Sequence, residues 1–125
     1  PAIVERVEGP NGNVLLTREP RIVRQVIPRH TARTVGTMME RTVSHGTARR
    51  TFFDRRGNAF LPGIRVAGKT GTLSAERPYR GYTWFVGFAP ADEPTIAVAA
   101  LVVNTPEWRI KAAHVGREAL RAYLR

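Results

Sequence analysis

The chain has no cysteine, only two lysines and two serines, and no apolar run longer than the eight residues from Ile96 to Val103. Each shortage excludes something. Without cysteine there is neither a disulfide scaffold nor a thiolate metal site, although the absence fits reducing and oxidising compartments alike. Eight apolar residues fall far short of the ~20 that a bilayer-spanning helix needs, so no membrane segment is expected. The three histidines, His30, His45 and His114, lie far apart and lack partnered acidic residues, which argues against a metal site. Asp54 has no second carboxylate near it in sequence for paired acid/base work. No metal or cofactor is expected.

What is present is a 125-residue chain, 42% hydrophobic and 24% charged, which is near the globular average and argues against disorder as a global description. A chain of this size buries about 65% of its unfolded surface, enough for one core and not for two. Twenty basic residues against ten acidic ones give a formal charge of +10, whose first reading is a surface for polyanions such as nucleic acid. The arginines, however, are dispersed from Arg6 to Arg125, with short doublets only at Arg49-Arg50 and Arg55-Arg56. That distribution describes a solvated surface better than a phosphate-lined groove, and nucleic acid is not the expected partner. The chain begins at Pro1, with neither an initiator methionine nor a signal peptide, and on that ground is expected to be a piece of something longer.

Val4 to Val7 and Val14 to Leu16 flank Gly9-Pro10-Asn11-Gly12 and predict a short hairpin, since Asn-Gly favours the positive φ angles of tight turns. Glu19 to Arg29 reads as connecting chain with an extended piece at Ile22 to Ile27. Ala32, Val35, Met39 and Val43 recur at helical spacing and predict a helix over about 31–45, opened by Thr31 and closed by Gly46. Thr47 to Gly63 has no sustained period and reads as irregular loop. Three strand-like runs follow, over about 66–73, 82–89 and 95–103, joined by the turn-rich connector Ser74 to Gly81 and the short Pro90 to Pro94. Ile96 to Val103 is apolar on both alternations, as a central strand covered on both faces requires. A final helix is expected over about 106–124, with Thr105 as its cap, Pro106 in the first turn and a stripe of Trp108, Ala112, Val115, Ala119 and Tyr123. The class is α+β, an antiparallel sheet packed by helices.

Gly63 to Thr70 has the letters of a phosphate-binding loop, two glycines followed by Lys-Thr. Its context fails. Such a cradle needs a preceding strand and a helix that opens at the lysine, whereas Ile64 to Ala67 favour extended chain and Pro78 and Gly81 forbid a long helix beyond. On a strand, Lys69 points to one face while Thr70 and Thr72 point to the other. If that strand is a sheet edge, Gly71 lets a ligand approach the backbone, the threonine hydroxyls bond a carboxylate and the lysine supplies positive charge. The plainer reading is a strand that happens to hold Lys, Gly and Thr. Tyr79, Tyr82, Trp84, Phe85 and Phe88 could stack bases, but their alternation with Val86 and Gly87 makes sheet core the better reading.

Gly68-Lys69-Thr70-Gly71-Thr72, the aromatic strand Trp84 to Pro90, a further apolar strand and a closing helix together resemble the C-terminal portion of a penicillin-binding protein transpeptidase domain. The upstream Ser44-His45-Gly46-Thr47-Ala48 also resembles the segment that precedes this motif in the family, so the likeness covers nearly the whole chain. It implies a partial β-lactamase/transpeptidase-like fold and acyl transfer at D-Ala-D-Ala peptide ends, through a serine that β-lactams also acylate. The family carries a Ser-x-x-Lys element, a Ser-Asp-Asn type element and the Lys-Thr-Gly strand. Only the third is here, because Ser44 and Ser74 are followed three residues on by Thr47 and Arg77. By resemblance, Lys69 is the catalytic residue, acting on the ligand carboxylate and on the proton network near the missing serine. Thr70, Gly71 and Thr72 bind substrate, and the Thr72 N–H is one oxyanion donor.

The expectation is therefore residues 1–125 as the C-terminal fragment of a transpeptidase domain, inactive alone, whose parent sits anchored at the extracytoplasmic face of the membrane. Its partners are stem peptide and β-lactams through that parent, the remainder of the domain, and a second copy of the chain by edge-strand pairing. Two other readings are a non-catalytic peptidoglycan-binding module and a basic nucleic-acid-binding domain. Ser-x-x-Lys upstream favours the enzyme, a start codon near Pro1 the module, and steeply salt-dependent DNA binding the third.

Overall fold

A computed structural model describes residues 4–19 and 24–124. Strands β1 (Arg6–Glu8) and β2 (Val14–Thr17) form the expected hairpin, with Gly12 at a positive φ of 75° in its turn. The extended piece expected at Ile22 to Ile27 falls partly outside the described residues, and 24–27 form no strand. Helix α1 (Arg29–Ser44) begins two residues before the predicted cap: Pro28 is its N-cap and makes no side-chain bond, so Thr31 lies inside the first turn. Proline before the first turn suits this, because its φ is preset and it has no N–H to satisfy. At the other end Gly46 N–H donates to the Arg41 carbonyl at 2.9 Å. A Cβ on Gly46 would lie 2.9 Å from the Thr42 Cα, so the close is steric as well as hydrogen-bonded.

The irregular loop contains one short helix, α2 (Arg49–Phe52), and then a turn organised by Asp54. Its carboxylate accepts from the Asn58 side chain at 2.9 Å and from the Asn58 and Arg56 N–H groups at 2.8 Å each. These bonds, the Asn58 side chain foremost, hold the Asp54 pKa below the usual aspartate value. Gly57 completes the turn at a φ of 88°.

The main sheet is antiparallel in the order β3 (Ala67–Glu76), β4 (Tyr79–Ala89), β5 (Ile96–Asn104). The expected connector from Ser74 to Gly81 is instead mostly strand. Ser74, Ala75 and Glu76 pair with Gly81, Arg80 and Tyr79, so the turn shrinks to Arg77-Pro78. β5 does not take the central place its apolar sequence suggested: among the described strands it pairs only with β4, and β4 is central. Ala97, Ala99, Leu101 and Val103 are exposed on one face of β5, next to Trp84 and Val86 of β4. Of the aromatic residues expected in the core, only Phe85 is fully buried, while Trp84 is 41% exposed.

The covered face is built on Phe85, which lies against Phe52 with ring centroids 5.5 Å apart. Full burial of such a ring contributes ~2–3 kcal/mol. Val43 of α1, Phe52 of α2 and Leu120 of α3 belong to the same buried cluster, so all three helices contribute to the core around this ring. Two glycines make room for it: a Cβ at Gly68 would come within 2.5 Å of the ring, and one at Gly116 would run into it. Gly36 lies against the Phe88 ring on the opposite face, so α1 straddles the β3 side of the sheet.

Helix α3 (Ala112–Tyr123) starts six residues later than expected. Residues 105–111 are held in irregular form by bonds that a helix would break. Asn104 Nδ2 donates to the Ile110 carbonyl at 3.1 Å, and Trp108 Nε1 donates to the Tyr79 hydroxyl at 2.9 Å while its ring covers Gly81. The buried stripe is rotated accordingly, to Ala112, Ala113, Gly116 and Leu120, leaving Val115 and Tyr123 exposed. Arg117 ties α3 to α2, donating to the Thr51 carbonyl at 2.6 Å, and its pairing with Glu118 lowers that carboxyl's pKa.

Candidate functional site

The Lys69–Thr72 segment lies on β3, which pairs only with β4 among the described strands, so its second edge is unpaired. The register fixes which way each residue faces. Thr70 and Thr72 stand opposite Phe85 and Thr83, the inward side of β4, whereas Lys69 and Gly71 stand opposite Val86 and Trp84, the outward side. The phosphate-loop letters are thus carried by a strand, with Gly63 in a turn at a φ of 76° and no helix at Lys69. The Lys69 ammonium donates to the Thr70 carbonyl at 2.6 Å, curling round the strand edge.

A cavity of about 440 Å³ opens between β3, the turn after α1 and the start of α3, with the inward Thr83 and the outward Trp84 of β4 both among its lining residues. Thr70, Gly71 and Thr72 form its floor, Gly46, Thr47, Arg50 and Thr51 one wall, and Lys111, Ala112 and Ala113 the other. Thr47 Oγ1 lies 2.6 Å from Thr70 Oγ1. One hydroxyl hydrogen makes that bond, which leaves the other free for a ligand. Thr83, 3% exposed, accepts the Ala112 N–H at 3.0 Å and donates to the Val102 carbonyl at 3.4 Å, and so caps α3 from the sheet. No acidic side chain lines this space, and two cations do. Such a site suits an anion whose oxygens meet hydroxyls and positive charge together.

Of the residues expected from sequence, Thr70, Gly71 and Thr72 gather in this cavity and Lys69 does not. Sequence reading missed Arg50, Thr51, Thr83 and Lys111. Arg50 sits in a stretch without periodicity, and Lys111 marks the start of α3 only once that start is placed correctly. Thr47 belonged to the quoted Gly46-Thr47-Ala48 segment, but its bond to Thr70 spans 23 positions. Neither serine approaches an activated nucleophile. Ser44 donates to the Glu40 carbonyl at 2.9 Å and sits 2.8 Å from His45 Nδ1, and a hydroxyl hydrogen given to the carbonyl leaves the imidazole nothing to abstract. Ser74 is exposed near the far end of β3.

A second cavity, of about 320 Å³, lies between α1, α2 and the loop leading to β3, lined by Val43, Phe52, Leu61 and Val66 with the Glu40–Arg65 ion pair beside it. It shares no residue with the Lys69–Thr72 segment.

Comparison with known proteins bears on the chain as a whole. The family described as penicillin binding protein transpeptidase domain matches residues 1–123. Stage V sporulation protein D of Bacillus subtilis is 35% identical over 92 residues, covering 70% of this chain and 13% of that protein. The peptidoglycan D,D-transpeptidase PbpA of Mycolicibacterium smegmatis is 29% identical, covering 100% of this chain and 25% of its own length. Among solved structures, the imipenem acyl-enzyme of penicillin-binding protein A from M. tuberculosis superposes with a TM-score of 0.75 at 26% identity, over 97% of this chain and 25% of that one. The D,D-transpeptidase domain of a peptidoglycan glycosyltransferase from Eggerthella lenta gives 0.74 at 29%, over 96% and 26%. The chain therefore spans a quarter or less of the curated relatives it matches.

Proposed function

The chain belongs to the penicillin-binding protein transpeptidase domain family, and from that premise we propose that it is the C-terminal part of a peptidoglycan D,D-transpeptidase, supplying the strand that binds the substrate carboxylate. In this reading a serine from the rest of the domain attacks the carbonyl of a D-Ala-D-Ala peptide end. The peptide C–N bond breaks, the terminal D-alanine leaves with a proton, and the acyl group stays on the serine as an ester until a second nucleophile takes it. β-Lactams enter the same step with a ring amide in place of the peptide bond.

This chain's share is positioning and electrostatics rather than the covalent step. The substrate lies along the unpaired edge of β3, as an added strand does. The Thr70 and Thr72 hydroxyls take its carboxylate, Gly71 lets its backbone come close, and the Thr72 N–H is one donor to the developing oxyanion. Lys69, facing outward with Gly71, is aimed toward the side where the remainder of the domain completes the site, and there it tunes the proton network of the serine. The observation that carries this reading is the register that splits Lys69 from Thr70 and Thr72 along an edge with no partner strand among the described residues. The exposed apolar face of Trp84, Val86, Leu101 and Val103 is the surface on which the remainder of the domain packs.

The parent works at the extracytoplasmic face of the membrane, where stem peptides are cross-linked. Its anchor is not among the described helices, none of which is long and apolar enough to cross a bilayer. Intact-protein mass spectrometry after incubation with benzylpenicillin tests the assignment. The 125-residue chain alone is expected to gain no mass, and the complete domain one penicillin. A stable adduct on the chain alone, or none on the complete domain, would overturn it.

A further inference from the structure

We infer that the cavity of about 320 Å³ between α1, α2 and the loop entering β3 is a binding site for a small, uncharged aromatic molecule, and that its occupant braces the start of β3. The site shares no lining residue with the cavity beside Thr70 and Thr72, and it does not depend on the transpeptidase reading.

The walls decide the ligand's character. Val43, Phe52, Leu61 and Val66 line the space, each at most 6% exposed, and they come from α1, α2 and the loop that leads into β3. The polar groups beside them are already partnered. Both Glu40 carboxylate oxygens accept from Arg65, at 3.2 Å and 3.1 Å, and the Ser44 hydroxyl donates to the Glu40 carbonyl at 2.9 Å. No buried side-chain polar atom among the described residues lacks a partner. An enclosed water needs about two to four polar partners, so such walls favour an apolar occupant. Apolar cavities of ~150 Å³ take up benzene, and about 320 Å³ has room for a substituted ring. Glu40 and Arg65 neutralise each other, so a charged ligand would be desolvated here without a partner of its own.

The walls are also pre-formed. Phe53 and Ala59 pair as an antiparallel bridge, the Phe60 N–H donates to the Phe52 carbonyl at 2.9 Å, and the Ile64 N–H donates to the Leu61 carbonyl at 3.2 Å. The Arg65 and Glu40 bonds then tie this loop to α1 across 25 positions. A ligand therefore meets walls that need little ordering.

The link to β3 runs through the backs of the same walls. A Cβ on Gly68 would lie 3.3 Å from Val43 Cγ2, so Val43 packs on the backbone of the strand's second residue. Phe52 lies against Phe85, which stands opposite Thr70 in the register. Val66 immediately precedes β3, and beside it the Arg65 carbonyl accepts the Ala91 N–H at 2.8 Å. A ring packed among Val43, Phe52 and Val66 adds contacts to the groups that hold the first residues of the strand, and so makes their opening rarer.

The test uses the complete domain and two fluorinated probes of nearly the same shape, 4-fluoroacetophenone and 4-fluorobenzoate, read by fluorine NMR. The ketone is expected to bind saturably, and the carboxylate to displace it at least about tenfold more weakly, because its charge would be buried unpaired. Ala59→Trp fills the space from the loop wall and should weaken the ketone by about tenfold, since a close-packed interior leaves it no room. Leu61→Phe serves the same purpose should the tryptophan variant not fold. With the ketone at about ten times its dissociation constant, hydrogen exchange of the 67–70 amides should slow by up to about tenfold, and by more than that of the 96–104 amides in β5. No saturable binding of the ketone, equal or better displacement by the carboxylate, undiminished binding in a folded cavity variant, or equal slowing in β3 and β5 overturns the proposal.

Discussion

Gly116 and Asp54 show how single residues set the terms of this fold. Alanine at position 116 has the better helix propensity by ~1 kcal/mol. The added methyl, however, would run into the Phe85 ring, which Phe52 holds from the other side. Overpacking a tight core costs ~1–3 kcal/mol, so Gly116→Ala is expected to lower the urea midpoint, where a propensity-only effect would raise it. Asp54 carries a pH signature. Its folded pKa is depressed, so its contribution to stability is complete above the ordinary aspartate value of 3.8 and is lost as pH falls through the lower folded one. Melting temperatures between pH 5 and pH 2 should therefore fall less steeply in Asp54→Asn, and equal slopes would count against the turn's role. These residues differed in what their sequence revealed. Asp54, Gly57 and Asn58 read as loop from composition, while Gly116 gave no hint of its importance, because the ring it faces lies 31 positions away in β4.

Among elements, α3 is the instructive one. A Thr-Pro-Glu start is a good local signal for a helix, and it misplaced this one, because Asn104, Trp108 and the Tyr79 hydroxyl hold residues 105–111 in another shape. The cap that α3 does use comes from β4, through Thr83. No local reading finds a cap 29 residues upstream. Thr83→Val keeps the shape and removes the acceptor, which leaves the buried Ala112 N–H without a partner at a cost of ~1–2 kcal/mol. Thr83→Ser should recover most of it in the same urea titration. The strands were more legible than the helix ends: all three main-sheet runs and the early hairpin stand where their alternation and turn residues put them. The ends of β3 and β4 ran further than expected because cross-strand pairing continued through residues that alone favour turns.

At the scale of the molecule, the apolar sequence of β5 was read as burial on both faces, and one face is open. On the proposed reading the sequence and the fold agree, the remainder of a transpeptidase domain covering that face, and the isolated chain then offers the surface to another copy. Sedimentation of the isolated chain is expected to show concentration-dependent association, reduced by Leu101→Lys, and a strictly monomeric profile would count against it. Lys-Thr-Gly was legible as a strand motif because chemistry and alternation agree there. The cations opposite it were not, since only the tertiary fold brings α2 and α3 to one cavity. The charge of +10 said little, because eighteen of the twenty cations are arginines spread over the chain. The two lysines are another matter. Lys69 and Lys111 are the only side-chain amines, Lys69 carried by β3 and Lys111 lining the cavity that Thr70, Gly71 and Thr72 share. An amine-selective label therefore has two side-chain addresses, one on β3 and one lining the cavity beside it, and the difference in their labelling rates, read from two tryptic masses, becomes an occupancy meter for that cavity.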